Sequence, residues 1–186
     1  LSEYLTDKGT PHLVTREPGG TPLADEIRSL LLSPRKETVF PEAELLLYEA
    51  ARAQHVRSVI LPAVTSGTAV LCDRFCDATV AYQGFSRGID VARIEELNAF
   101  ASAGLVPDLT FLLDIPPGEG LARVSSRGSR PDRLEGESLR FHQSVREGYL
   151  RLCGQRPERF ARIDGRLPVD DIARAVRAAV STRFGW

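Results

Sequence analysis

Residues 12–21, His-Leu-Val-Thr-Arg-Glu-Pro-Gly-Gly-Thr, hold the junction on which the reading of the fold turns. His12–Thr15 is a short apolar run that reads as a strand, and Arg16 and Glu17 stand where a strand hands over to a loop. Pro18-Gly19-Gly20 has the composition of a sharp turn. Pro-Gly-Gly with a flanking Arg is equally what a chain uses to grip an anion, so Thr15–Thr21 alone leaves both readings open. Thr21 can then cap a helix that runs to Leu32, with Asp25 and Glu26 in its first turn.

Outward from this junction the same alternation repeats. Ala69–Cys72, Leu109–Asp114 and Phe160–Ile163 read as further strands. A helix opens at Pro41 and carries Leu45, Leu46, Tyr48, Ala51, Ala53 and Val56 before Pro62. Helical patterns follow over Val91–Ser102, Gly118–Arg127, Glu137–Leu152 and Val169–Thr182. Leu1–Lys8 reads as the tail of another. Strands alternating with helices predict an α/β domain, residues 1–186, with a mainly parallel sheet flanked by helices. In such sheets ligands sit beyond the carboxyl ends of the strands. Thr15–Thr21 and Asp73-Arg74 both fall there.

Composition narrows the partners. The chain has 186 residues, 42% hydrophobic and 26% charged, with a net charge of −1. That balance gives no electrostatic case for nucleic acid or a membrane surface. No apolar run approaches membrane-spanning length. Lys8 and Lys36 are the only lysines, so nearly every basic group is an arginine, the better fork for phosphate or carboxylate. Cys72, Cys76 and Cys153 lack paired metal-ligand spacing and are expected to be reduced packing residues of a cytoplasmic protein.

Four stretches carry chemistry. Arg16, Glu17 and Arg28 could converge on a phosphate. Asp73 can hold magnesium or its water shell while Arg74 reaches a phosphate; an N-terminal helix Asp beside a surface Arg is the plainer alternative. The Arg-rich run Ser125–Arg133 is either a lid over a nucleoside triphosphate or a solvated loop. Tyr48 and Arg52, one helical turn apart, offer a plane and a donor for a nucleobase, or a core aromatic and a surface cation.

In combination the motifs are more specific. Thr15–Thr21, Tyr48–Gln54, Asp73-Arg74-Phe75 with Ala81-Tyr82-Gln83-Gly84, Pro107–Thr110 and Asp132–Glu135 occur in order, and together they resemble bacterial thymidylate kinase. The resemblance implies a P-loop kinase fold that transfers the ATP γ-phosphate to dTMP with Mg2+, and a homodimer. The apolar helix region Ala50–Val64 is a candidate for the dimer interface. Carried onto this sequence, Arg16, Arg28 and Arg74 would hold the dTMP phosphate and Glu17 would line the sugar–phosphate region. Tyr48 stands where the family usually stacks Phe on thymine. Arg52 would donate to a thymine carbonyl, and Thr79 and Gln83 would read the other pyrimidine edge. Asp73 and Arg74 would serve the metal–phosphate centre, Asp73 holding magnesium directly or through its water shell. Arg127, Arg130 and Arg133 would lie in a lid at about residues 125–136, where one arginine assists transfer and others cover ATP.

One hallmark of the resemblance is absent. No G-x-x-x-x-G-K-[ST] stretch occurs in residues 1–186. With no Met anywhere and Leu1 an unusual start, a strand and its phosphate-binding loop are expected upstream. The chain as given is accordingly expected to hold dTMP and to turn over poorly. The competing expectations are a non-catalytic nucleotide-binding remnant and another deoxynucleoside or nucleotide kinase.

Overall fold

The computed structural model describes residues 1–126, 128 and 131–186. Helix α1 (Ser2–Asp7) leads into strand β1 (His12–Arg16), then α2 (Pro22–Leu32) and α3 (Pro41–His55). A π-helical turn, Val56–Ile60, joins α3 directly to α4 (Leu61–Thr65). Strand β2 (Ala69–Asp73) is followed by α5 (Cys76–Thr79), a π-helical segment Val80–Ser86, and α6 (Val91–Ala101). The chain ends with β3 (Thr110–Asp114), α7 (Pro117–Ser126), α8 (Leu139–Gln155), β4 (Phe160–Asp164) and α9 (Val169–Phe184).

Local chemistry accounts for many of the boundaries. The Thr21 hydroxyl accepts from the Ala24 amide, and Pro22 takes the first helical position, where its missing N–H costs nothing. Asp90 and Ser138 cap α6 and α8 in the same manner. The helix expected to stop before Pro62 instead continues to Thr65. Proline cannot donate to the helical ladder, and the ladder loosens to π spacing in the turn just ahead of it. Cys76–Ser86, which carried no helical expectation, is helical throughout.

The strands are parallel, as their spacing predicts, but they form two separate pairs rather than one continuous sheet. β1 pairs with β2 in the register His12 to Ala69 through Arg16 to Asp73, and β3 pairs with β4 from Thr110–Phe160 to Asp114–Asp164. No strand is hydrogen-bonded to both pairs among the described residues. Val14 and Leu113, apolar residues inside their strands, are 60% and 50% exposed.

Helices supply most of the core. Leu45, Val80, Ile94, Leu152 and Phe160 form one cluster, which joins α3, α6 and α8 to β4. Ala24, Ile27 and Leu31 pack on Ala51 between α2 and α3, with Tyr48 against them. Phe141 and Val145 of α8 pack on Ala81. Gly148 lets α8 approach closely, since a Cβ there would lie 2.7 Å from the Phe85 ring. In the Ala50–Val64 stretch, Ala51, Val56 and Ile60 face the protein's own interior, leaving Ala50, Arg57 and Val64 outside. The consequence for function is that α3 lies between α2 and α6 with its polar stripe turned inward.

Candidate functional site

At the carboxyl ends of β1 and β2, Arg16 and Asp73 stand opposite each other in register, and the Glu17 amide extends the pairing to the Asp73 carbonyl at 2.9 Å. They border an open cleft of about 460 Å³, shared with Thr15, Gly20 and Asp25. Arg16 is exposed, its guanidinium 3.7 Å from Asp25. The turn that follows contains a cis Glu17–Pro18 bond and two glycines at positive φ. Gly20 allows a contact no other residue would: a Cβ there would lie 2.5 Å from His55 Nε2 and 2.8 Å from the Thr15 hydroxyl. Arg28 donates to the Pro18 carbonyl at 2.9 Å and so braces the turn from α2.

Glu17 points into the protein. Its carboxylate accepts from Arg52 Nε at 2.8 Å, and its other oxygen lies 3.1 Å from His55 Nδ1. His55 Nε2 is in turn 2.7 Å from the Thr15 hydroxyl. Arg52 is 2% exposed; its Nη1 donates to Glu49 and to the Asn98 side-chain oxygen. Among the described residues no hydrogen bond is made by Arg52 Nη2. Burial works against the Arg52 charge, but Glu17, Cys76 and Glu49 outweigh it and hold the guanidinium firmly protonated. Burial also raises the Glu49 pKa, with Arg52 acting against it, and Glu49 Oε2 has no partner among the described residues.

A second group gathers around Tyr48. Burial pushes its phenol above the usual range; the Glu44 charge adds to that, while Arg74 and Arg133 oppose it. Arg74 has a left-handed backbone, φ 67, and lies over the Tyr82 ring at 5.1 Å. Such a conformation in a non-glycine residue marks a position held by its surroundings. Gln83, 1% exposed, donates to Glu44 at 2.7 Å. Thr79 lies one turn earlier and is 2% exposed, yet its hydroxyl has no partner among the described residues. Orphaned hydroxyls at that depth are uncommon and call for a ligand or a reason. Arg133 is anchored, not free: it donates to Glu44 at 2.6 Å and to the Leu31 carbonyl at 2.7 Å.

The structure therefore brings Arg16 and Asp73 together at one cleft, with Glu17 and Arg52 joined behind it. Glu44, Arg74 and Arg133 all act on the Tyr48 phenol, and Glu44 itself holds both Arg133 and Gln83. Arg127 and Arg130 lie outside the described residues. The sequence reading missed Glu44, His55 and Asn98. Glu44 had a signal, since it precedes Tyr48 by four residues and Arg52 by eight on one helix face. Asn98 had none, because it arrives from α6. Burial is also the first cause of the raised thiol pKa of Cys76, about 11, which leaves it an inert packing group.

No cluster of three or more His, Cys, Asp or Glu suited to a metal exists among the described residues. Magnesium does not require one. It keeps most of its waters and is commonly bound by one or two carboxylates together with substrate phosphates. Asp73, exposed at the cleft, fits that role.

The chain matches the family model described as thymidylate kinase over residues 1–176. A thymidylate kinase of Geotalea uraniireducens is 50% identical over 189 residues, covering 99% of this chain and 89% of the relative. That of Carboxydothermus hydrogenoformans is 52% identical over 172 residues, 92% of this chain and 83% of the relative. That of Geobacter sulfurreducens is 49% identical over 187 residues, 98% and 88%.

Proposed function

The chain belongs to the thymidylate kinase family, and from that premise we propose that the residues around Tyr48 and the β1–β2 cleft hold dTMP as acceptor for the ATP γ-phosphate. The observation that carries this assignment of residues is the convergence on Tyr48: an aromatic plane, the strained Arg74, and Gln83 fixed by Glu44 occupy one neighbourhood. In this reading Arg16, Arg28 and Arg74 receive the acceptor phosphate. Tyr48 stacks on the base, Arg52 offers its Nη2 to a base carbonyl, and Thr79 and Gln83 read the remaining edge. Glu17 acts indirectly, by holding Arg52.

Phosphoryl transfer between two anions demands positioning and charge neutralisation more than acid–base chemistry. The acceptor oxygen is already ionised, so no general base is required. Magnesium, held by Asp73 with the substrate phosphates, would supply additional charge neutralisation. Arg127, Arg130 and Arg133, in a lid at about residues 125–136, would cover the donor; Arg133 does so from a fixed root on α2. One domain over residues 1–186, a cytoplasmic location and a homodimer complete the proposal. The dimer is checked by light scattering of the chain and of Val64→Asp on the exposed side of α4.

Residues 1–186 contain no G-x-x-x-x-G-K-[ST] stretch. That favours a second reading for this chain by itself, in which dTMP binds but turnover is slow. The test compares dTMP, dUMP, dCMP and thymidine as acceptors with ATP and Mg2+, alongside calorimetry with dTMP. Preference for dTMP supports the assignment, whereas preference for thymidine or dCMP overturns it. Fast turnover of dTMP would dispose of the second reading only.

A further inference from the structure

Glu44 has no exposure at all, and three side chains from two regions meet on its carboxylate. Oε1 accepts from Gln83 Nε2 at 2.7 Å and from Arg87 Nε at 3.2 Å. Oε2 accepts from Arg87 Nη2 at 3.2 Å and Arg133 Nη2 at 2.6 Å. Burial pushes this carboxyl up, but the bonds from Arg87, Gln83 and Arg133 outweigh it and hold it below the usual carboxylate range. An ionised carboxylate can only accept. The Gln83 amide therefore has to turn its NH2 toward Glu44, and its carbonyl oxygen is left on the opposite side. Rotating that amide would set oxygen against oxygen in a buried site.

We propose that Glu44 is the positioning residue for pyrimidine choice: it locks Gln83 so that a carbonyl oxygen, never an NH2, faces the base. Thymine and uracil carry a donor at N3–H, which that oxygen accepts. Cytosine carries an acceptor at N3, which it repels. The inference rests on the proposed reading in which Gln83 faces the base. It adds that discrimination originates one residue away, on a side chain that never touches the nucleotide. Arg133 binds the same carboxylate, so the base reader and the root of the lid share one anchor.

The experiment measures binding of dTMP and dCMP by calorimetry for the 186-residue chain, Glu44→Gln and Arg87→Lys. A Gln at position 44 can both donate and accept, which frees the Gln83 amide to turn. The dTMP-to-dCMP affinity ratio is expected to fall roughly tenfold in Glu44→Gln. Arg87→Lys is expected to lower the melting temperature and leave the ratio unchanged. An unchanged ratio in Glu44→Gln overturns the role of Glu44 while leaving the family reading intact. A parent chain that does not prefer dTMP overturns the base-reading assignment of Gln83, and this inference with it. Should Glu44→Gln fail to fold, hydrogen exchange of the Gln83 side-chain amide in the parent chain decides. Protection with and without dTMP supports the lock, and exchange as fast as that of an exposed glutamine overturns it.

Discussion

Glu17 and Arg52 form an ion pair with both partners almost sealed from water: Arg52 Nε lies 2.8 Å from Glu17 Oε2, at 2% and 4% side-chain exposure. The pair ties the turn after β1 to α3 and, through Asn98, to the carbonyl that opens α5. Removing one charge leaves the other buried without its main partner. Glu17→Gln is expected to cost about 3 kcal/mol of stability. In a thermal melt that is a drop of roughly 6–12 °C. Affinity for dTMP, measured below the new transition, should fall as well, because Arg52 loses its fixed position.

Gly20 sets the approach of the turn to His55. Its φ of +87 and the 2.5 Å Cβ contact with His55 Nε2 penalise any side chain twice. Gly20→Ala is expected to lose about 2–3 kcal/mol in urea unfolding. Gly67 also has a positive φ but nothing within 4 Å of a Cβ, so Gly67→Ala should lose no more than about 1 kcal/mol.

The Thr79 hydroxyl separates folding from binding. It has no partner among the described residues, so Thr79→Val should leave stability unchanged or raise it by up to about 1 kcal/mol. If the hydroxyl meets the pyrimidine, the same variant weakens dTMP roughly tenfold by calorimetry. A variant that loses stability but keeps its affinity would remove Thr79 from the binding site.

Asp114, at the end of β3, holds two arginines: Arg146 at 2.6 Å and 3.0 Å, and Arg162 at 2.6 Å. The hydrogen bond from Arg146, against the cost of burial and with help from Arg162, keeps its carboxyl below the ordinary value of 3.8. A carboxyl lowered on folding contributes stability that is fully present above its unfolded pKa and is lost as pH falls through the folded one. Asp114→Asn should therefore destabilise by about 1–2 kcal/mol at neutral pH, since both arginines are partly solvated. The gap should close below about pH 4 in denaturant titrations run across pH.

Much of the fold was legible because its signals are local. The strands announced themselves as apolar runs ending in polar residues, and all four lie within a residue or so of where they were expected. Thr21, with Asp25 and Glu26 in the first turn, marked the start of α2 through chemistry confined to nearby residues. The continuity through Pro62 and the helix Cys76–Ser86 were not legible. At Pro62, π spacing accommodates a residue that an ordinary helical ladder would refuse; Val80–Ser86 is π-helical as well, and no periodicity in the sequence reports either.

The site divides along the same line. By itself the sequence determined the alternation that makes an α/β protein, and the placement of Arg16 and Asp73 at strand ends. Its ordered motifs also carried the resemblance to the kinase family. It could not say which charges are buried. Glu44, Arg52 and His55 share one face of α3 with Tyr48, a pattern that in one dimension is indistinguishable from a solvated stripe. Only the packing of α2, α6 and the Val80–Ser86 segment around α3 turned that stripe inward. Once inside, a carboxylate has to find donors or give up its charge. That requirement, met by residues distant in the chain, is what fixed Arg52 on Glu17 and Gln83 on Glu44.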